Sequence, residues 1–350
     1  MDIPVSADGI TPEWMTAALS ENEPGLKVDS VEIVDVVAGA CTKVRLALRT
    51  NRNDFPSTVM MKAPFERHSD TMMMMHRNEY HAYHDLVPTW DIPTAKCHYA
   101  GLTDDGRALV ILEDLCLRDV KFLSLQHPIS FDLAKKFLAH LAKMHARWWN
   151  SPEIEEQFPW LGHASSENMA FYLDLLMNPE TFARYENAPR GAAMPRLLLN
   201  PELINQAHAR MLELQSGLAC TINHGDMHLG NLYTDAQGEP GFLDYQPVVG
   251  PWSIDVSYFM IAGLDLLDRR RWQGALLQHY LDCLADNGIT PPGFDEAWLA
   301  YRRYVPWGLL IWMLNSSNFQ TETNNTAAAT RFAMAMIDLD TFGALGIQVT

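Results

Sequence analysis

The chain has 350 residues, a length that fits two domains or one two-lobed unit with room for a sizeable core. Twenty-six Lys and Arg against 43 Asp and Glu give a net charge of −17, which argues against nucleic acid, whose phosphates need a basic face, and against an anionic membrane surface. With 48% hydrophobic and 20% charged residues, the composition is that of a globular protein rather than a disordered or fibrous one.

Cys41, Cys97, Cys116, Cys220 and Cys283 are odd in number and form no C-x-x-C pair, so they are expected as buried thiols in a reducing cytoplasm. The start, MDIPVSADGI, lacks the basic and apolar regions of a signal peptide. The apolar stretches 256–267 and 305–314 carry Asp265 or fall short of the roughly 20 residues a bilayer demands. A cytoplasmic protein without a membrane span is expected.

Residues 30–48 read as two β-rich runs around a small-residue turn at 38–42, the second with Val44, Leu46 and Leu48 on one face. Thr58 to Lys62 is a third short strand, and together these predict an antiparallel meander. A helix is predicted over 71–87, ended by Pro88, followed by strands at 96–101 and 108–112. Beyond Leu115 the texture turns helical. Ala134, Phe137, Leu138, Leu141, Met144 and Trp148 recur at helical spacing over 131–149, with Ser130 as N-cap. Further helices are expected near 165–178, 200–217, 253–267, 268–286, 294–318 and 326–340, interrupted by a β-like patch at 232–244. The pattern predicts an α+β fold of two lobes: residues 1–115 as a small antiparallel β-rich lobe, and 116–350 as a larger α-helical one.

The chemistry concentrates in 224–255, HGDMHLGNLYTDAQGEPGFLDYQPVVGPWSID. It contains H-x-D-x-x-x-x-N, with Asp226 and Asn231 five apart, and Asp244 thirteen further on after an apolar run. Phosphoryl transfer from a nucleotide needs a carboxylate beside the acceptor hydroxyl, a role that suits Asp226, and oxygen ligands for Mg²⁺ ions on the phosphates, a role that suits Asn231 and Asp244.

This segment resembles the catalytic and metal-binding loops of the aminoglycoside phosphotransferase superfamily, itself kinase-like, and most of all its ecdysteroid-kinase-like and choline-kinase-like (CHK) branch. The resemblance runs from about residue 30 to 340 and implies a protein-kinase-like two-lobed fold. It casts Lys62 as the lysine on the α- and β-phosphates, Glu79 on the following helix as its acidic partner, and Ile111 to Leu115 as the inter-lobe hinge. There the Glu113 carbonyl and the Leu115 N–H would meet the adenine edge. LAKMHARWW (141–149) resembles the helix before the catalytic loop. His224 is implied as a structural group packing that loop, and Asp255, eleven after Asp244, as its brace from the next helix. ATP with Mg²⁺ is the implied phosphoryl donor, and a small hydroxylated molecule the implied acceptor.

Departures matter. The loop 38–43 has one glycine instead of G-x-G-x-x-G, which implies a shorter loop using backbone N–H groups and Thr42. Asp244-Tyr245-Gln246 replaces D-F-G, His224-Gly225-Asp226 replaces H-R-D, and A-P-E is missing, all of which disfavour a protein substrate. The ecdysteroid-like resemblance implies a lipophilic alcohol of steroid, terpenoid or hydroxy-acyl type. The net charge of −17 keeps a cationic aminoglycoside or choline open. Aromatic and Met residues in 150–215 and 300–325 (Trp160, Met169, Phe171, Tyr172, Met177, Trp307, Trp312, Met313) fit an apolar pocket or a helical core equally. Two further readings remain: a zinc hydrolase on His224, Asp226 and His228, which leaves Lys62 and Asp244 without a role, and a nucleotide-binding pseudokinase scaffold. His76, His81 and His84 are expected as solvated residues of a polar helix.

Overall fold

The computed structural model describes residues 2–164, 178–215 and 217–349. The helix expected near 165–178 and the pocket candidates Met169, Phe171, Tyr172 and Met177 lie outside them. The chain forms two compact units. The first comprises Met1–Lys121 with Asp235–Gln237 and Gly241–Gln246, and the second comprises the rest.

The first unit is built on a five-stranded, all-antiparallel sheet in the order β1-β2-β3-β5-β4. Its strands are β1 (Val28–Val37), β2 (Thr42–Thr50), β3 (Thr58–Ala63), β4 (Cys97–Leu102) and β5 (Ala108–Glu113). Alternation sorts the side chains of β2 and β3. Val44, Leu46 and Leu48 join Val59, Met61 and Ala63 in one apolar cluster, which helix α1 (Pro12–Ser20) covers with Met15, Ala18 and Leu19. Lys43, Arg45, Met60 and Lys62 therefore leave the sheet on its other face. β5 is buried on both faces, because Leu109 and Ile111 join the cluster while Val110 and Leu112 face helix α2 (Met73–His81). The helix expected over 71–87 is shorter than read: after His81 the chain widens into a single π-helical turn, Ala82–Leu86.

The second unit is helical. α3 (Phe131–Arg147) starts on Ser130, whose hydroxyl accepts the Leu133 N–H at 3.3 Å, and buries Phe137, Leu138, Leu141 and Met144. α4 (Pro201–Glu213) leads to β6 (Cys220–Asn223), which pairs antiparallel with β7 (Val248–Pro251). The triplets Leu232–Thr234 and Pro240–Phe242 are short strands. In α5 (Ser253–Gly263) every residue is buried, as expected of a helix without a polar face. Four longer helices follow, α6 (Leu266–Asp286), α7 (Phe294–Arg303), α8 (Val305–Leu314) and α9 (Glu322–Asp338), and shorter ones span Ile154–Gln157, Pro179–Glu186, Pro189–Ala192 and Thr341–Ala344.

Two expectations need correction. The single helix read over 294–318 is broken at Tyr304, because Pro306 has no N–H to give a continuing helix and its ring would collide with the preceding turn. The cysteines are all free, but they are less enclosed than expected: Cys116 is exposed and the other four are half-buried. No described helix is long and apolar enough to cross a membrane.

Candidate active site

In the first unit Lys62 is 6% exposed, and an ammonium so placed needs an anion. It has two. Nζ donates to Glu79 Oε1 on α2 and to Asp244 Oδ1 at 2.8 Å. Burial opposes the charge on Lys62, but the two carboxylates outweigh it and raise its pKa. Burial also opposes the charge on Asp244, yet Lys43 and Lys62 hold its carboxyl far below the usual range. Glu79 is pushed up instead, because burial and the charge of Asp244 together exceed the pull of Lys62.

Asp244 stands in a left-handed backbone conformation, φ 55°, which an L-residue adopts at a cost of about 1 kcal/mol and which recurs at functional sites. Its neighbours fix it. The Tyr245 ring packs against Tyr83 and Trp90 at 5.6 and 5.7 Å, and Gln246 donates to the Met75 carbonyl on α2 at 3.2 Å.

The same corner contains a residue the sequence reading passed over. Lys43 is the register partner of Lys62 across β2 and β3, and its Nζ donates to Asp244 Oδ2 at 3.1 Å. Strand alternation from Val44 and Leu46 already placed it on the Lys62 face, but only the register brings the two ammoniums together. Beside them the Cys41 thiol is pushed up to about 11 by burial, which keeps it protonated. His76 is buried rather than solvated, and burial with the nearby Lys62 pushes it down to about 4. His81 and His84 both engage Asp85, at 2.8 and 2.6 Å.

Thr42 is 4% exposed and donates its hydroxyl to Glu66 at 3.0 Å, while His68 Nε2 lies 2.9 Å from the Gly39 carbonyl oxygen. The hydroxyl thus anchors the loop, and the loop's backbone N–H groups are what it has to offer a phosphate. At the expected hinge, the Glu113 N–H is bonded to the Lys96 carbonyl at 2.8 Å. Asp114 receives Thr58 and Arg45 at 2.6 and 2.7 Å, which ties the segment before Leu115 to β2 and β3.

The second unit holds the H-x-D-x-x-x-x-N loop. Asp255, buried at the start of α5, accepts the His224 N–H at 2.6 Å and the Gly225 N–H at 3.0 Å. His145 Nε2 lies 3.2 Å from the same carboxylate, with its Nδ1 2.7 Å from the Tyr280 hydroxyl. Charge-assisted bonds to backbone N–H groups are among the stronger ones, so the loop is held from inside the core. His224 Nδ1 accepts the Asp226 N–H at 3.3 Å.

This leaves Asp226 about a third exposed, with a side-chain exposure of 31%. Burial opposes its charge, but His228, His224 and Asn231 win and lower its pKa. Its Oδ2 accepts Asn231 Nδ2 at 2.9 Å and lies 3.5 Å from His228 Nε2. His228 Nδ1 accepts the Gly230 N–H at 3.0 Å, which leaves Nε2 as the ring's donor and turns it toward Asp226. The Asn231 amide nitrogen also bonds the Asp226 carbonyl at 3.0 Å, so the amide oxygen is turned away from the loop.

The ionised carboxylate of Asp244 in the first unit and the amide oxygen of Asn231 in the second are each of the oxygen-donor kind that suits a hard ion such as Mg²⁺. The histidines do not form a zinc centre: their Nδ1 atoms take backbone N–H groups, and no group of three or more His, Cys, Asp or Glu among the described residues is placed to hold a metal.

An antiparallel sheet bearing a buried Lys–Glu pair, followed by helices presenting a braced H-x-D-x-x-x-x-N loop, defines a kinase-like fold. The fold is shared with a choline kinase from Cryptosporidium parvum (TM-score 0.58, 12% identity, covering 95% of this chain and 97% of that one). It is shared also with the choline kinase LicA from Streptococcus pneumoniae (0.52, 13%, 89% and 94%) and with a wild-type aminoglycoside 2'-phosphotransferase-IIIa in complex with GDP (0.51, 11%, 91% and 98%). No curated protein sequence matches the chain. The profile of the ecdysteroid kinase-like family matches residues 34–289, and the chain belongs to that family.

Proposed function

We propose that the protein transfers the γ-phosphoryl group of Mg·ATP to a hydroxyl of a small, lipophilic alcohol of steroid, terpenoid or hydroxy-acyl type. The observation that carries this reading is the buried Lys62 ammonium held by both Glu79 and Asp244. Glu79 alone balances Lys62, so Asp244 is the carboxylate available to a divalent ion while Lys62 turns to phosphate oxygens.

In the proposed reaction Asp226 orients the acceptor hydroxyl and takes its proton late, as the alcohol oxygen bonds to the γ-phosphorus and the bond to the bridging oxygen of the departing ADP breaks. Oδ2 is engaged by Asn231, which leaves Oδ1 for the hydroxyl. Lys62 stabilises negative charge on the phosphates. Asn231 and Asp244 would hold Mg²⁺, which when bound neutralises phosphate charge. The Glu113 carbonyl and Leu115 N–H would take the adenine edge, and the loop ending at Thr42 would cover the phosphates.

Membership of an ecdysteroid kinase-like family supports an apolar acceptor, as do the half-buried Trp160 and Trp307 of the helical unit. A cationic acceptor is the second reading, favoured by the net charge of −17 and by a fold shared with choline kinases. Five free thiols fit a cytoplasmic setting. The test is ADP formation from Mg·ATP across hydroxylated steroids, terpenoids, hydroxy acids, choline and aminoglycosides. Turnover with the apolar alcohols is expected. Turnover with the amines alone moves the acceptor to the cationic class, and nucleotide binding without turnover on any acceptor returns the protein to a scaffold.

A further inference from the structure

We propose that Lys43 is a second phosphate-binding residue of the nucleotide site, acting beside Lys62; the inference rests on the kinase reading above. Lys43 and Lys62 are direct cross-strand partners, and like charges so placed repel unless an anion lies between them. Asp244 is that anion, with Oδ1 on Lys62 at 2.8 Å and Oδ2 on Lys43 at 3.1 Å. Two ammoniums that each take one oxygen of a single carboxylate are spaced to take two oxygens of a phosphate group.

The charge balance points the same way. Lys62 has Glu79 as a permanent partner, whereas the only hydrogen-bond partner of the Lys43 ammonium among the described residues is Asp244. Once Asp244 serves a divalent ion, Lys43 needs a new anion, and the polyphosphate brought by that ion supplies one. Exposure fits the role: the Lys43 side chain is 43% exposed against 7% for Lys62, so it can swing toward a ligand that Lys62 must await in place. Position fits too. Lys43 is the second residue of β2 after the loop 38–41, whose single glycine gives a backbone less able than a glycine-rich loop to wrap phosphates, and a side-chain donor there makes up for the missing N–H groups.

The experiment is calorimetric titration of Mg·ATP, and separately of adenosine, into the wild-type protein and the Lys43→Met and Lys43→Arg variants, with thermal midpoints checked for equality. Methionine keeps the apolar stem and removes the charge. Loss of one charged hydrogen bond predicts Mg·ATP binding weakened about tenfold to a hundredfold in Lys43→Met, adenosine binding unchanged, and most of the affinity kept in Lys43→Arg. The proposal is overturned if Lys43→Met binds Mg·ATP as tightly as wild type or more tightly, which would make Lys43 only a counter-ion holding Asp244, or if adenosine weakens in parallel. A wild-type protein with no affinity for Mg·ATP would instead defeat the kinase reading itself.

Discussion

Asp226 has one oxygen engaged and one to offer, and the distinction is chemical. Asn231 and His228 address Oδ2, so they fix the carboxylate's rotamer without covering Oδ1. Asp226→Asn keeps the shape and removes the proposed proton acceptor. General-base contributions typically reach 10²- to 10⁴-fold, so kcat should fall by about that factor while Mg·ATP affinity stays near the wild-type value. A variant that turns over normally would remove Asp226 from the reaction. Asp244→Ala should behave oppositely, losing the Mg²⁺-dependent part of nucleotide affinity, because it deletes a proposed metal ligand while Lys62 keeps Glu79. That Asn231 and Asp255 would lie against the Asp226 loop was legible in their spacing, since short loops place their residues by count. Lys43 was not, because its importance lies in strand register. His228 could be read as a zinc ligand only while the hydrogen bond from Gly230 was unknown.

Elements carry the site as much as residues do. α8 approaches α9 so closely that a Cβ on Gly308 would stand 2.0 Å from Phe332 Cε1. From Phe332 a run of rings leads to the loop: Tyr258 at 5.5 Å, Trp312 at 6.5 Å from Tyr258, and His228 edge-on to Trp312 at 5.2 Å. Gly308→Ala should therefore cost about 1–3 kcal/mol by overpacking, read as a lower urea midpoint, and should depress turnover because the rings behind His228 shift. An unchanged midpoint would mean that the two helices part without cost. The sequence showed where strands and helices lie where a single period dominates, as on β2 and α3. It misled where a second rule intervened. Pro306 divides a continuous apolar run, the π-turn after His81 ends α2 early, and α1 went unread although Thr11 and Pro12 form a cap and first turn that signal its start.

For the whole molecule, acid stability follows from histidines buried in both units. His76, His98 and His208 are each held at about 4, by burial in every case and also by nearby Lys62 for His76 and Lys96 for His98. Between pH 6.5 and 4 the unfolded chain binds protons at these rings that the folded chain refuses. Their contribution is therefore complete above pH 6.5 and is lost as pH falls, at up to about 1.4 kcal/mol per pH unit for each ring. The depressed carboxyls of Asp226, Asp244 and Glu322 add their own loss as the pH falls into and below the ordinary carboxylate range. Relief of repulsion among the excess carboxylates works the other way, since the chain carries a net charge of −17. A fall in unfolding free energy between pH 7 and pH 5, measured by urea titration, would thus single out the histidines. His98 tests the attribution, because neither ring nitrogen has a hydrogen-bond partner among the described residues. His98→Leu should make the decline shallower by about one proton, and equal slopes in variant and wild type would clear His98 of any part in it.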